Sequence, residues 1–355
     1  MRIYKILAIS LVCILTLNFG WLQDAQACSR VVDASQDKTH VATGRSLDWL
    51  EDIETNLWLF PRGMERDGAV CSNSAHWTSK YGSVIAAGFD VSTGDGLNEK
   101  GLMANLLYLA EADFGERDQT RPGLSWSILT QYILDNFATV AEAVEAMEDD
   151  YLQVVASPLP GTSEKPPTLH VSISDITGDS AIFEYIEGKL VIHHGEEYPV
   201  MTNSPPYDQQ IALNTYWESV GGEAMLPGTR RASDRYVRAS YYASQLPEPE
   251  TDRQAIANVM SVIRNVSVPF GESDPNEPNL SETIWRTIAD HVNKTYYFES
   301  TLSPNVVWVE FKNLDFGKGA PVKKLNLVGN YDFVGEVSGE FVESPPFDFT
   351  GPCSI

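Results

Sequence analysis

The chain has 355 residues and a formal net charge of −24, with 49 acidic against 25 basic side chains. A field of that sign repels nucleic acid and anionic membrane surfaces, so we expect neither as a partner. The hydrophobic share of 43% is that of an ordinary globular protein, and no change of composition divides the chain. We therefore predict a single domain over residues 28–355.

Residues 1–27 have the pattern of a removable export signal. Basic residues precede an apolar run over 6–22, and Ala25-Gln26-Ala27 is the small-x-small pattern after which signal peptidase cuts. The run is interrupted by polar residues and is short for a membrane anchor, the competing interpretation. We expect a periplasmic protein, without membrane association once the signal is removed, whose mature chain begins at Cys28.

Cys28 would then be a cysteine at a free amino terminus. Such a residue carries a thiol nucleophile and an α-amine base together. The ordinary pKa of an α-amine, about 7.7–8.0, lies near working pH. The amine can therefore take up the thiol proton without a histidine. Two other interpretations stay open: the lipidated cysteine of an exported lipoprotein, whose amine would be acylated, and a disulfide partner.

Strands dominate the first part of the mature chain, and helices follow. Short β-branched or alternating runs between turn residues predict strands over 28–32, 39–49, 54–61, 83–90 and 103–109. Apolar residues at helical spacing predict a helix over 125–137. Thr139-Val140-Ala141-Glu142 matches a capping box and opens a further helix to Met147.

The second half repeats this grouping of strands and helices. Strands are predicted over 169–174, 181–185 and 190–193, helices over 233–246 and 251–266, and strands over 294–299, 306–312 and 322–327. Because strands and helices come in blocks, the pattern predicts an α+β layered fold rather than repeated βαβ units. The Pro-rich connections at 157–167 and 268–280 are predicted surface loops.

The cysteine count is odd once Cys13 leaves with the signal. Cys28, Cys71 and Cys353 remain, and an oxidising compartment then leaves one thiol over. The simplest assignment is a Cys71–Cys353 disulfide that ties down the C-terminal tail, with Cys28 free. Two reduced buried cysteines, or Cys28 bonded to one of the others, are the alternatives.

An N-terminal cysteine nucleophile needs a positive neighbour for its thiol, an acceptor for its amine and donors for the oxyanion. Arg45 and Asp48 lie three positions apart near the end of a predicted strand, and they are candidates for the first two. Taken alone, the pair is more typical of surface residues that flank a strand.

Five short motifs occur in the order seen in the choloylglycine hydrolase family, which the chain resembles over nearly its whole mature length. They are Cys28-Ser29-Arg30, Gly44-Arg45-Ser46-Leu47-Asp48, Gly96-Leu97-Asn98-Glu99-Lys100-Gly101-Leu102, Met201-Thr202-Asn203-Ser204-Pro205 and Ser233-Asp234-Arg235-Tyr236-Val237-Arg238. The resemblance implies a four-layer αββα sandwich of the N-terminal-nucleophile hydrolase type. It implies amide hydrolysis, as in penicillin V acylases and conjugated bile salt hydrolases, without metal or cofactor.

The resemblance also implies a role for each matching residue. Cys28 matches the nucleophile and amine base, Arg45 the arginine beside the thiol, and Asp48 the aspartate that holds the α-amine. Asn203 matches the asparagine whose amide donates to the oxyanion, and Arg235 the arginine that closes the charged cluster. An arginine there favours the thiolate and does not compete for protons.

Two further positions bear on specificity. Tyr108 falls where penicillin V acylases typically carry Tyr and bile salt hydrolases Asn, and its backbone N–H matches the second oxyanion donor. Trp49 directly follows Asp48 and is either part of an acyl pocket or a core tryptophan at a strand end. An aromatic wall accepts an aromatic or a fatty acyl group by burial alone.

The expected reaction is hydrolysis of the amide bond of a small molecule through a thioester acyl-enzyme. The expected substrates are penicillin V and acyl-homoserine lactones. A conjugated bile salt hydrolase is the second hypothesis, and a non-catalytic exported lipoprotein or binding module is the third. The export signal and the stretch between Asn203 and Arg235 resemble the Gram-negative branch. That stretch is shorter than in Gram-positive members, where a projection builds the tetramer, so assembly by that projection is not expected. A homo-oligomer such as a tetramer stays an open alternative.

Overall fold

Two stacked β-sheets with helices on their outer faces make up the chain, as seen in a computed structural model that describes residues 28–158, 166–271 and 281–353. Every structural statement below refers to these ranges. The predicted export signal lies outside them, as do large parts of the two predicted Pro-rich loops.

The first sheet has seven strands and begins with the segment that follows Cys28. In spatial order they are β14 (Val200–Met201), β1 (Ser29–Ala34), β2 (Val41–Trp49), β15 (Glu282–Asp290), β16 (Thr295–Ser300), β17 (Val307–Glu310) and β19 (Gly335–Glu336). All neighbours are antiparallel except β17 and β19.

The second sheet has nine strands. In spatial order they are β13 (Lys189–His194), β12 (Ser180–Ile186), β11 (Leu169–Ser174), β8 (Met103–Tyr108), β7 (Ser92–Asn98), β6 (Ser83–Gly88), β3 (Asn56–Phe60), β18 (Lys323–Leu325) and β20 (Val342–Glu343). Two small ribbons accompany it, one of β4 (Glu65–Asp67) and β5 (His76–Thr78), the other of β9 (Gly123–Ser125) and β10 (Gln153–Val155).

The described residues form five α-helices. They are α1 (Trp126–Asn136), α2 (Val140–Glu148), α3 (Tyr207–Val220), α4 (Ala232–Ser244) and α5 (Asp252–Val266). Helices α1 and α2 contact the second sheet, whereas α4 and α5 contact the first, and α3 packs against α4. Single 3₁₀ turns occur at Gly222–Ala224, Phe311–Asn313 and Ser338–Glu340.

Strand alternation separates two hydrophobic clusters. On β3, Leu57 and Leu59 join the cluster between the sheets, whereas Trp58 and Phe60 join the cluster under α1 and α2. Helix α5 packs closely on the first sheet at Gly44, where a Cβ atom would lie within 3 Å of side-chain carbons of Val259 and Ile263. A strand that is buried on both faces in this way is held firmly in register.

The predicted order of strand and helix blocks is observed, and so are the predicted helix starts at Thr139 and Thr251. The Oγ1 atom of each accepts a hydrogen bond from the backbone N–H three residues on. Three major elements were not predicted, α3, β7 and β15. Helix α3 lacks an apolar stripe facing the protein, since only Tyr207 and Gln210 in it are buried.

A disulfide joins Cys71 to Cys353, with their Cα atoms 5.3 Å apart, and Cys28 is a free, buried cysteine. This is the pairing that the odd cysteine count favours. Among the described residues, none of the helices has the length and apolar character that crossing a membrane requires.

Candidate active site

The site is built around Cys28, at the start of β1. Arg30 faces Met201 in the antiparallel pairing of β1 with β14. Continuing that register by two residues brings Asn203 opposite Cys28. The backbone nitrogen of Cys28 indeed donates to Oδ1 of Asn203, and the Cys28 side chain is only 2% exposed. The sheet register thus pairs two residues that lie 175 positions apart in sequence.

Arg45 approaches the sulfur from the face of β2 that looks toward the second sheet. Its Nη2 lies 3.8 Å from Sγ of Cys28 and donates to the carbonyl of Leu106 at 2.7 Å. Its Nη1 lies 3.7 Å from Oδ2 of Asp95, and its Cζ lies 4.5 Å from the centre of the Trp285 ring. A guanidinium fixed at this distance stabilises negative charge on sulfur.

Asp95 is a buried carboxylate behind Arg45. It accepts hydrogen bonds from Nδ2 of Asn105, from Oγ1 of Thr287 and from the hydroxyl of Tyr296. Burial raises the pKa of Asp95, and the nearby charge of Arg45 opposes that rise. The network fixes the guanidinium from the side opposite the thiol.

Asp48 points to the other face of β2. Its Oδ1 accepts from Oγ1 of Thr283 at 2.6 Å, while Oδ2 lies 3.8 Å from Nη1 of Arg235 and accepts no hydrogen bond from the described residues. Burial raises the pKa of Asp48, against the opposing effect of the Arg235 charge. The expected bond from the Cys28 nitrogen to Asp48 is not observed, since that nitrogen donates to Asn203 instead.

Arg235, on α4, ties three parts of the site together. Its Nη1 donates to the carbonyl of Cys28 at 2.7 Å and to Oγ of Ser29, and its Nη2 donates to Oδ1 of Asn203 at 2.9 Å. Its Nε donates to the carbonyl of Arg230. The side chain is fully buried, so its charge acts in a medium that screens it weakly.

Tyr108, the last residue of β8, contacts Asn203 on the side opposite Cys28. Because the next residue, Leu109, donates its N–H to Thr168, strand alternation turns the amide and carbonyl of Tyr108 away from β11. That carbonyl accepts from Nδ2 of Asn203 at 2.7 Å, which uses one of the two N–H donors of the amide. Asn203 therefore lies between the cysteine and the end of β8.

Six of the sequence-predicted residues thus form one contact network; they are Cys28, Arg45, Asp48, Tyr108, Asn203 and Arg235. Trp49 is partly buried and packs against the hydrophobic cluster between the sheets. Sequence reasoning missed Asp95, whose signal is an acidic residue between two glycines in a strand, and Thr283, which lies on the unpredicted β15. Within the described ranges, no three His, Cys, Asp or Glu side chains are grouped so that they could hold a metal ion.

Comparison with known proteins agrees with this architecture. The family model of linear amide C–N hydrolases, choloylglycine hydrolase family, matches residues 28–324. A penicillin V acylase from Pectobacterium atrosepticum is 46% identical over 367 aligned residues, which cover 96% of this chain and 97% of that protein.

Solved structures give the same result. The structure of penicillin V acylase from Agrobacterium tumefaciens matches with a TM-score of 0.84 and 52% identity, covering 91% of this chain and all of that one. A mutant conjugated bile acid hydrolase from Clostridium perfringens matches in fold, with a TM-score of 0.72, 22% identity and coverage of 87% and 98%. The predicted αββα sandwich of the N-terminal-nucleophile hydrolase type is confirmed. The chain belongs to the choloylglycine hydrolase family and is a linear amide C–N hydrolase.

Proposed function

We propose that this chain hydrolyses the amide bond of penicillin V, and that of acyl-homoserine lactones, with Cys28 as the nucleophile. The observation that carries the proposal is the environment of the Cys28 thiol, a buried sulfur with the Arg45 guanidinium at 3.8 Å. The start of the family match at Cys28 and the two similar penicillin V acylases support it.

Removal of residues 1–27 during export to the periplasm would convert the Cys28 nitrogen from a peptide N–H into an amine. The protonated amine has three N–H donors, of which Oδ1 of Asn203 can accept one. Oδ2 of Asp48, which accepts no hydrogen bond from the described residues, is suited to accept another. In this arrangement Asp48 orients the amine rather than acting as the base itself.

In acylation, the α-amine takes the thiol proton and the sulfur attacks the carbonyl carbon of the substrate amide. The Asn203 amide and the Tyr108 backbone N–H would stabilise the resulting oxyanion, as fixed donors do in a water-poor site. The C–N bond then breaks, and the ammonium returns its proton to the leaving nitrogen. The products are the free amine half of the substrate and a thioester on Cys28.

In deacylation, water attacks the thioester while the same amine takes a proton from it. A second oxyanion forms at the same donors and collapses with release of sulfur, which regains the proton. The acyl group leaves as a carboxylic acid. Both half-reactions therefore use one base, one cation and one pair of donors, and none of the steps uses a cofactor.

For the acyl half we propose an aromatic or fatty group, because apolar pockets discriminate weakly between such groups. Trp49, partly buried on the same face of β2 as Arg45, is the proposed aromatic contact. Tyr108 favours the acylase alternative over the bile salt hydrolase alternative. A steroid substrate needs a wider mouth than an aryl or alkyl chain.

A substrate panel tests the proposal. Wild-type protein and the Cys28→Ala and Cys28→Ser variants are compared on penicillin V, a long-chain acyl-homoserine lactone and glycocholate, after intact mass has shown where the mature chain begins. We expect a start at unmodified Cys28, turnover of the first two substrates and no turnover by Cys28→Ala. A lipid adduct on Cys28, or full activity of Cys28→Ala, would contradict the mechanism. Fastest turnover of glycocholate would favour the bile salt hydrolase.

A homo-oligomer, a tetramer among the possibilities, is also proposed. Leu213, Tyr216 and Val220 follow one another at helical spacing on α3, and all three are exposed. Such a stripe is typical of a covered surface. Light scattering of the wild type and of Tyr216→Glu tests this: dissociation of an oligomer by the variant is expected, and a monomeric wild type would contradict it.

A further inference from the structure

A buried histidine–glutamate pair lies directly behind the segment that carries Asn203. His170 is on β11 and Glu184 is on the neighbouring strand β12, each 1% exposed. Nδ1 of His170 lies 3.0 Å from Oε1 of Glu184, and Nε2 lies 3.0 Å from the carbonyl of Thr202. The imidazole thus bridges the second sheet to the residue that precedes Asn203.

Both ring nitrogens of His170 face hydrogen-bond acceptors. A backbone carbonyl accepts only, so Nε2 must donate to Thr202. Burial by itself would raise the pKa of Glu184, but the hydrogen bonds from His170 and Tyr207 and the proximity of His170 and His193 together hold that pKa below its ordinary value. The carboxylate is therefore a strong acceptor for Nδ1. Its other oxygen, Oε2, accepts the backbone N–H of Tyr207 at 3.0 Å, at the first turn of α3.

Gln210 holds the same segment from the side of α3. Its Oε1 accepts from Oγ1 of Thr202 at 2.8 Å, and its Nε2 donates to the carbonyl of Asn203 and, at 2.7 Å, to that of Pro205. One fully buried amide thus bonds to three of the four residues between 202 and 205. Gln210 and Tyr207 are the only buried residues of α3, and the Tyr207 hydroxyl donates to the carbonyl of Val200, on the strand that leads into that segment.

We propose that His170, Glu184 and Gln210 are positioning residues that fix the backbone of residues 202–205 and so aim the side chain of Asn203. This inference rests on the proposed function, in which the Asn203 amide is an oxyanion donor. That amide already meets three partners with fixed geometry, the nitrogen of Cys28, Nη2 of Arg235 and the carbonyl of Tyr108. A small backbone shift would disturb all three at once.

The expected kinetic signature follows from where these residues act. None of the three has a described contact with Cys28, so they act on Asn203 through the backbone of its own segment. An oxyanion donor works on the transition state more than on the bound substrate, so misplacing it lowers kcat and leaves KM nearly unchanged. A displacement of the order of 1 Å costs up to about a hundredfold in rate.

The test compares variants that keep the hydrogen bond to Thr202 with variants that lose it. His170→Phe removes both donors, and we expect kcat for penicillin V to fall by about tenfold to a hundredfold with KM within about threefold. His170→Gln can still donate to the Thr202 carbonyl and should recover most of that loss. Glu184→Gln can donate to Nδ1 and accept from Tyr207, so His170 keeps its Nε2 proton and kcat should stay near wild type.

His291→Phe is the matched structural control. His291 is fully buried and its ring nitrogens bond to Thr43 and Gly101, away from the Asn203 segment. We expect a comparable loss of thermal stability with the kcat of the folded protein unchanged. Should His170→Phe not fold, Gln210→Met tests the positioning role in its place. It removes the two hydrogen bonds that Gln210 donates to the segment from α3, and the same loss of kcat is expected.

The outcomes separate this inference from the function on which it rests. A wild-type protein that cleaves none of the three substrates contradicts the proposed function. An active wild type whose folded His170→Phe and Gln210→Met variants keep kcat, or lose it only as His291→Phe does, overturns the positioning role alone. A fall in kcat for His170→Phe that His170→Gln does not restore would also count against it.

Discussion

Asp48 and Arg235 approach each other in full burial without a hydrogen bond. Oδ2 of Asp48 lies 3.8 Å from Nη1 of Arg235, and that Nη1 donates to the carbonyl of Cys28 and the hydroxyl of Ser29. Within the described part of the chain, Oδ2 accepts no hydrogen bond at all. Buried polar atoms rarely stay unpaired in folded proteins. Oδ2 of Asp48 is therefore suited to accept a hydrogen bond from a charged donor. In the proposed mechanism that donor is the freed amine of Cys28.

The first prediction concerns that oxygen. Asp48→Asn keeps the side-chain shape and an oxygen for Thr283, and replaces Oδ2 by an amide. We expect kcat for penicillin V to fall by about a hundredfold or more, because the amine loses its charged partner. Thr283→Val removes only a neutral partner of Asp48, so its kcat should fall less than that of Asp48→Asn. Wild-type rates in Asp48→Asn would exclude Asp48 from the mechanism.

The second prediction concerns the cation beside the sulfur. Arg45→Met removes a positive charge 3.8 Å from Sγ of Cys28, and we expect alkylation of Cys28 by iodoacetamide at neutral pH to slow by at least about tenfold. Arg66→Met is the control, because Arg66 forms a similarly buried ion pair with Asp135 and its other described partners, Phe60 and Phe349, are outside the site network. Equal alkylation rates for Arg45→Met and wild type would contradict this electrostatic role.

The third prediction concerns the disulfide. Cys71 and Cys353 are separated by 282 positions, so their bond closes nearly the whole chain into one loop in the unfolded state. The double variant Cys71→Ala/Cys353→Ala should lose roughly 2–5 kcal/mol in the free energy of unfolding, as measured with urea. Since neither cysteine touches the site network, kcat at 25 °C should be unchanged. A large fall in kcat of the folded variant would mean that the tail shapes the site.

The fourth prediction is a pH dependence of stability that depends on His291. Its Nδ1 donates to the carbonyl of Gly101, and burial lowers its pKa from 6.5 to about 4. Between those values the unfolded chain binds a proton that the folded chain does not, so stability falls as pH falls through this window. Between pH 7 and pH 4.5, the free energy of unfolding of the wild-type protein should fall by roughly 2–3 kcal/mol more than that of His291→Gln. Parallel pH profiles of urea unfolding would refute this assignment.

The sequence predicted elements whose signals are local. Threonine caps and apolar stripes located α1, α2, α4 and α5 to within two residues, because those helices bury one face against a sheet. Helix α3 was missed because its burial is limited to Tyr207 and Gln210, and an apolar stripe on its exposed side does not mark a core-facing helix. Strand β15 was missed although Ile284 and Trp285 lie within it, since it follows directly on a Pro-rich connection.

The residues of the site likewise fall into those with a motif signal in the sequence and those without one. Motif order was enough to name Cys28 and the residues that contact it. The residues behind them, Asp95 and His170, stand outside the five motifs, in strands that carry other polar side chains as well. They reach the site through contacts with the first sheet, Asp95 with Arg45 on β2 and His170 with Thr202, which follows β14. Such contacts depend on sheet register, which becomes visible only in the folded chain.

Arg45 extends from the first sheet to a backbone carbonyl of the second, and Asn203 likewise joins Cys28 on one sheet to Tyr108 on the other. Hydrolytic activity is therefore a reporter of tertiary assembly rather than of secondary structure. A refolding intermediate in which each sheet has formed but the two have not docked would show native circular dichroism in the far ultraviolet and no turnover. In a refolding time course, recovery of turnover should accordingly mark the docking of the two halves of the sandwich.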